Sequence, residues 1–297
     1  MRRRAAVLAL GLAAAALTGC SAGAADDRPL VVATTNILGD VVTNLVGDDV
    51  DVMTLMKPDA DPHSFEISAQ EAARMQSADL VVSNGLGLEE GLQQHLDTVE
   101  GDQLVAGDVI EVLEYTDGDA AGADDPHFWT DPARVLQLVD ALEPALAEVG
   151  DADAVAAAAS DYRGELETLD TEMADAFAAI PAERRALVTN HHVFGYLAER
   201  FDFEVIGAVI PGGTTLAAPS ASDLRDLTSA IDEAGVPTIF AESSSPDRLV
   251  QVLADEAGVD VGVVELYTES LTAADGGAPD YLTMMRVNTK RISDGLA

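Results

Sequence analysis

From Asp153 to Ile180 the chain carries no strand-like run. Its apolar residues there, Val155, Ala158, Tyr162, Leu166, Leu169, Met173, Phe177 and Ile180, recur every three or four positions. That spacing keeps them on one face of an unbroken helix. Asp151 and Asp153 stand where acidic caps belong, and Pro181 ends the run. About 26 residues at ~1.5 Å each make a rod of ~40 Å, long enough to cross from one lobe to another. Its one interior glycine, Gly164, costs only ~1 kcal/mol.

On both sides of this rod the pattern changes to short apolar runs alternating with helical periodicity. The first half predicts strands over 30–35, 51–56, 80–84 and 103–106, with helices over 37–46 and 68–76. The second half predicts strands over 186–189, 204–209, 238–241 and 261–266, with helices over 193–200, 221–233, 246–257 and 280–292. Such alternation builds βαβ units around a parallel sheet. The expected fold class is therefore α/β, with two lobes, each a parallel sheet flanked by helices, joined by one long rigid linker helix. The expected division is an N-terminal lobe over 30–150, the linker over 151–181 and a C-terminal lobe over 182–297.

A formal charge of −37 excludes gripping nucleic acid or anionic lipid through the folded surface. A hydrophobic content of 48% is enough for a substantial core. The single cysteine, Cys20, rules out an intrachain disulfide and any cysteine-based zinc cluster. Arg2, Arg3 and Arg4 precede an apolar run from Ala5 to Leu17, too short to span a bilayer. The run ends in Leu17-Thr18-Gly19-Cys20, which resembles the lipobox of bacterial lipoproteins. The resemblance implies a signal peptide over 1–19, lipid attached to Cys20, a flexible tether over 20–29 and an extracytoplasmic protein held on the outer face of the bacterial cell membrane.

The five histidines are His63, His95, His127, His191 and His192. Two share a setting: Asp61-Pro62-His63 and Asp125-Pro126-His127, each followed within two residues by an aromatic. Proline fixes the backbone entering each histidine. In parallel α/β sheets ligands collect at the carboxyl ends of strands. His63, His191 and the segment Tyr267-Thr268-Glu269-Ser270 each follow a predicted strand, and His127 follows the acidic loop 116–125. Three imidazoles and one carboxylate suit a tetrahedral Zn2+ site. Glu242, at another strand end, is either an alternative ligand or an acceptor that orients an imidazole. His192 competes with its neighbour His191 for the same role. Trp129 and Phe65 are expected to pack beside the site and keep water out, and the acidic loop, with Asp117, Asp119, Asp124 and Asp125, to gather metal only weakly.

Together these pieces resemble the zinc- and manganese-binding solute-binding lipoproteins of bacterial ABC transporters. The matching segments include Asp61-Pro62-His63-Ser64-Phe65-Glu66, Asn84-Gly85-Leu86-Gly87-Leu88-Glu89, Asp125-Pro126-His127-Phe128-Trp129-Thr130-Asp131-Pro132, Phe194-Gly195-Tyr196, Pro219-Ser220, Phe240-Ala241-Glu242 and Tyr281-Leu282-Thr283-Met284-Met285-Arg286-Val287-Asn288. The resemblance implies a monomer that captures Zn2+ between its lobes through His63, His127, His191 and Glu269. It also implies delivery to an ABC permease and its ATPase. The family usually has Asp in a Thr-Asp-Ser; here Thr268-Glu269-Ser270 brings a longer arm. Mn2+ or Fe2+ is the alternative cargo. A zinc hydrolase is the alternative of another class, although neither a His-Glu-x-x-His helix nor a Gly-x-Ser-x-Gly elbow is present.

Overall fold

The structure, a computed structural model, describes residues 28–116, 120–210, 212–217, 220–243 and 262–297. The expected signal peptide and tether up to 27, Cys20, Asp117, Asp119, Pro219 and the expected helix over 246–257 lie outside the described residues.

Each half is built on a four-stranded parallel sheet. The first contains β1 (Leu30–Ala33), β2 (Asp51–Thr54), β3 (Leu80–Ser83) and β4 (Asp102–Val105), in the order β2-β1-β3-β4. The second contains β5 (Ala186–Thr189), β6 (Glu204–Ala208), β7 (Thr238–Glu242) and β8 (Gly262–Leu266), in the order β6-β5-β7-β8. The two orders are the same topology repeated. In each, the second strand lies on one side of the first and the third on the other, which leaves a crevice beyond the strand ends where such sheets bind ligands. The central strands are apolar throughout because both faces are covered: Val31, Val32, Val81 and Val82 are fully buried.

The helices are α1 (Asn36–Leu45), α2 (Ala69–Met75), α3 (Gln93–Leu96), α4 (Pro132–Ala147), α5 (Ala152–Ala178), α6 (Gly195–Phe201), α7 (Ala221–Ala234) and α8 (Tyr281–Leu296). Their starts follow local chemistry. Ser68 and Ser220 each close a capping box, with Glu71 and Asp223. Asp131 caps α4 ahead of Pro132. The first helix begins one residue earlier than the apolar periodicity predicts, because Thr35 is its cap and accepts from the Leu38 N–H at 3.3 Å. Asn36 is thereby left free to reach the other half of the molecule.

The long helix α5 buries Val155, Ala159, Tyr162, Leu166, Leu169, Met173 and Phe177. Ala159, not the expected Ala158, occupies the second buried position. Asp151 caps the helix, accepting from the Asp153 and Ala154 N–H groups at 3.0 Å each. The helix is more than a spacer. Its buried face joins residues of α1, α4, α6 and α8 in one continuous apolar core that runs under both sheets. Separate clusters cover the opposite faces, one beneath α2 and one beneath α7. Among the described residues no helix is long and apolar enough to cross a membrane.

Candidate metal centre

His63 lies in the loop between β2 and α2, His127 at the entry to a 3-10 turn (Phe128–Thr130), His191 between β5 and α6, and Glu269 just beyond β8. The fold brings these four together: one donor atom from each lies within 4.8 Å of every other. All are buried, with exposures of 2%, 0%, 0% and 1%. The three Nε2 atoms converge on one oxygen. Glu269 Oε1 lies 2.9 Å from His63, 3.2 Å from His127 and 3.1 Å from His191. His63 Nε2 and His127 Nε2 are 3.4 Å apart. A tetrahedron of ~2.0–2.1 Å bonds has edges of ~3.3–3.4 Å, so this spacing is close to that of a zinc coordination shell.

The two Asp-Pro-His turns use one device. The Asp61 carboxylate accepts the His63 N–H at 2.8 Å, and the Asp125 carboxylate accepts the His127 N–H at 2.9 Å. Aspartate thus clamps the backbone two residues ahead of itself, which proline's fixed φ alone does not do. Asp125 Oδ1 also lies 2.7 Å from His127 Nδ1 and orients the ring. Asp125 is therefore no part of a metal-gathering loop: it is buried and committed to His127.

Behind this turn stands a chain of supports. Glu89, fully buried, accepts from the Asn84 and Gly85 N–H groups at 2.7 and 3.1 Å and from the Thr34 hydroxyl at 2.6 Å. Asn84 then donates to the Pro126 carbonyl at 3.0 Å. The Asn84–Glu89 segment, with positive φ at Gly85, Leu86 and Gly87, is a bracket for the His127 turn. Trp129 donates its indole N–H to the Thr268 carbonyl at 2.7 Å, and its ring stands edge-on to His127 at 5.4 Å. Phe65, expected beside the site, packs instead with the cluster beneath α2.

In the second half, Glu242 Oε2 lies 3.0 Å from His191 Nδ1 and accepts from Asn190 at 3.2 Å. Glu242 thus stands behind His191 and outside the four-donor group. His192, the competing candidate, also lies outside it, half-buried, with its ring 6.3 Å from that of Tyr115. His95 is exposed on α3. Glu269 is set by its neighbours. Asn36 donates to Ser270 Oγ at 2.8 Å and accepts the Leu271 N–H at 3.0 Å, while the Asp59 N–H donates to the Leu271 carbonyl at 3.0 Å. A segment following the last strand of the second sheet is thereby pinned to the first half.

Sequence reasoning missed Asn36, Thr215 and Tyr115. The Tyr115 hydroxyl lies 3.1 Å from His127 Nδ1 and donates to the His192 carbonyl at 3.4 Å. No local motif marks these three, since their partners lie between 12 and 235 residues away.

The charges suit a cation. Burial alone depresses both imidazoles, but Asp125 and Glu269 raise His127 above 6.5, and Glu269 with Glu242 raises His191 well above it. Burial pushes Glu269 upward, yet His191, Glu242 and His127 together hold it well below the ordinary carboxylate range. Glu242 is pushed up to about 7, by burial first and then by the nearby Glu269 charge, against the pull of His191. The cluster therefore keeps an ionised carboxylate at its centre and holds protons on imidazoles that a metal would displace.

Comparison with known proteins points the same way. Residues 31–295 match the family described as zinc-uptake complex component A, periplasmic (ZnuA). The zinc-binding protein TroA of Treponema pallidum is 32% identical over 305 residues, covering 98% of this chain and 97% of that one. Its solved structure matches with a TM-score of 0.83 at 29% identity, over 91% of this chain and 99% of that chain. The iron-binding protein YfeA of Yersinia pestis is 28% identical over 268 residues, covering 89% and 85% of the two chains. The manganese ABC transporter substrate-binding lipoprotein PsaA of Streptococcus pneumoniae is 27% identical over 316 residues, covering 100% and 99%.

Proposed function

The chain belongs to the ZnuA family of zinc-uptake components, and we propose that it is the extracytoplasmic metal-binding component of an ABC importer whose cargo is Zn2+. It takes the ion between its two lobes through His63, His127, His191 and Glu269 and hands it to a membrane permease driven by its ATPase. Lipid on Cys20 holds it to the outer face of the cell membrane. The relatives named for metals are binding proteins, and one is named as the substrate-binding lipoprotein of an ABC transporter.

The observation that carries the zinc reading is the convergence of three imidazole nitrogens on one carboxylate oxygen at 2.9, 3.2 and 3.1 Å. Three nitrogens and one oxygen in a compact set suit the tetrahedral preference of Zn2+, whereas Mn2+ favours six mostly oxygen ligands. Four protein donors close the shell, as in a site that stores an ion; a catalytic zinc keeps a position for water. This favours transport over hydrolysis. Calorimetry on the mature chain tests the reading. It should take up one Zn2+ per chain, and the His63→Ala, His127→Ala double variant should take up none. A double variant that binds as the wild type does would sink the assignment.

A further inference from the structure

The three imidazoles differ in what holds the ring nitrogen turned away from the cluster. His127 Nδ1 has Asp125 at 2.7 Å and the Tyr115 hydroxyl at 3.1 Å. His191 Nδ1 faces the Glu242 carboxylate at an ion-pair distance of 3.0 Å, without hydrogen-bond geometry. His63 Nδ1 is buried and, among the described residues, has neither a hydrogen-bond partner nor a carboxylate at ion-pair distance. Apart from the Nε2 contact with Glu269 inside the cluster, its ring is therefore placed by packing and by the backbone turn that carries it. That turn rests on Asp61, whose carbonyl accepts the Phe65 N–H at 3.0 Å and whose Oδ1 accepts the His63 N–H at 2.8 Å.

Asp61 is held in turn from the other half of the molecule. Its Oδ2 accepts the hydroxyl of Thr215 at 2.6 Å, across 154 residues of sequence. Thr215 sits in the loop between β6 and α7, partly buried. An O–H···O− bond of that length is charge-assisted and among the stronger neutral-to-ion contacts. The two oxygens of one carboxylate thus join a loop of the second half to the backbone of a histidine in the first. By contrast, Glu269 is secured by the paired Asn36 bonds and the Asp59 amide.

We propose that Thr215 is a positioning residue that latches Asp61, and through it the His63 turn, so that the Thr215–Asp61 bond sets how fast zinc leaves the site. The inference rests on the zinc-binding reading for its kinetic consequence and on the hydrogen-bond geometry alone for the mechanical one. With the latch broken, the Asp61 side chain is free to turn toward water, the His63 amide loses its acceptor for part of the time, and the least supported ligand is the first to let go. The donor set itself does not change.

The experiment compares the mature chain with Thr215→Val, which keeps the shape and removes the hydroxyl, and Thr215→Ser, which keeps the hydroxyl. Zinc-loaded protein is mixed with excess EDTA and release is timed. Thr215→Val should release roughly tenfold faster, the scale of one lost hydrogen bond to a charged group, and Thr215→Ser should release within about twofold of the wild type. The Co2+ ligand-field spectrum of Thr215→Val should match the wild type, because three nitrogens and one oxygen still bind. A changed spectrum would mean that Thr215 shapes the coordination shell and does not act as a latch, which overturns the proposal. In the metal-free protein, amide exchange at His63 should quicken in Thr215→Val but not in Thr215→Ser. Release and exchange both unchanged in Thr215→Val overturn the latch. A wild-type chain that takes up no zinc overturns the transport reading instead, and the amide exchange then still decides the latch.

Discussion

Asp61-Pro62-His63 and Asp125-Pro126-His127 are the same three residues, and they make the same backbone bond, at 2.8 and 2.9 Å. They differ in everything the tripeptide does not contain. Asp125 turns back on its own histidine and fixes the ring, while Tyr196 from α6 donates to its carbonyl at 2.8 Å. Asp61 turns outward and takes Thr215. The His127 turn is braced from its own half by Asn84 and Glu89; the His63 turn is braced from across the cleft by Thr215. A local motif can therefore specify where a ligand's backbone goes, while the surrounding fold decides whether its ring is rigid or loose.

The largest effects should come from removing the rings. His63→Ala and His127→Ala should each weaken zinc binding by more than about a hundredfold, beyond what loss of a supporting residue costs. Competition against a calibrated chelator checks this. Equal affinity in either variant would take that histidine out of the shell. The carboxylates then separate the two turns. Asp125→Ala removes both a backbone acceptor and a ring partner, and should weaken binding by about 10–100-fold. Asp61→Ala removes no ring partner and should cost only several-fold at equilibrium, by the same reasoning. If the two substitutions weakened zinc equally, the asymmetry between the turns would be of no consequence.

Those substitutions also mark how far the sequence could be read. The two Asp-Pro-His turns, the strand-end position of His191 and Glu269, and the alternation that gives two parallel sheets are all local signals, written within a few neighbouring residues. The long helix was legible because seven buried positions recur along one face, and only one of them differs from expectation, Ala159 in place of Ala158. What was not legible is tertiary. Nothing near Asn36 announces Ser270, and nothing near Thr215 announces Asp61. The choice between His191 and His192 also needed the fold, since adjacent residues in a loop point apart in ways no pattern records. Glu242 could be named as a ligand or as a support; its place behind Nδ1 of His191 comes only from the register of β7 against β5.

Protonation distinguishes the turns further. His127 and His191 are raised in the metal-free fold, so their protons favour the folded state. That contribution is complete below the unfolded value near 6.5 and fades as pH climbs through the raised values. Glu242, pushed up to about 7, acts in the same direction, because above that value a second buried carboxylate faces Glu269. The depressed Glu269 loses its contribution only at far lower pH and is silent in this window. The metal-free protein should therefore melt at lower temperature at pH 8 than at pH 6. Zinc displaces the same protons, so apparent affinity should rise with pH by up to about tenfold per unit for each proton released. Titration in buffers of different ionisation enthalpy counts those protons. Asp125→Asn should reduce the count at His127, and Asp61→Asn should not. A metal-free melting temperature independent of pH from 6 to 8 would contradict the account.

The smallest effect tests a last difference between the turns. Each histidine is followed two residues later by an aromatic, Phe65 in one turn and Trp129 in the other. Only Trp129 carries a donor, and it spends it on the Thr268 carbonyl, next to Glu269 in the chain, at 2.7 Å. Trp129→Phe gives the second turn the chemistry of the first. The ring still packs beside His127, but the carbonyl of the buried Thr268 loses the indole N–H. The loss should be about 1–2 kcal/mol of stability, read as a fall of roughly 2–8 °C in melting temperature for a chain of this size. Zinc affinity should change only a few-fold, because Asn36 still holds the segment beyond Glu269. A large loss of affinity with little loss of stability would reverse the assignment. Trp129 would then position Glu269 directly, and the second turn would control both a nitrogen and the oxygen of the site.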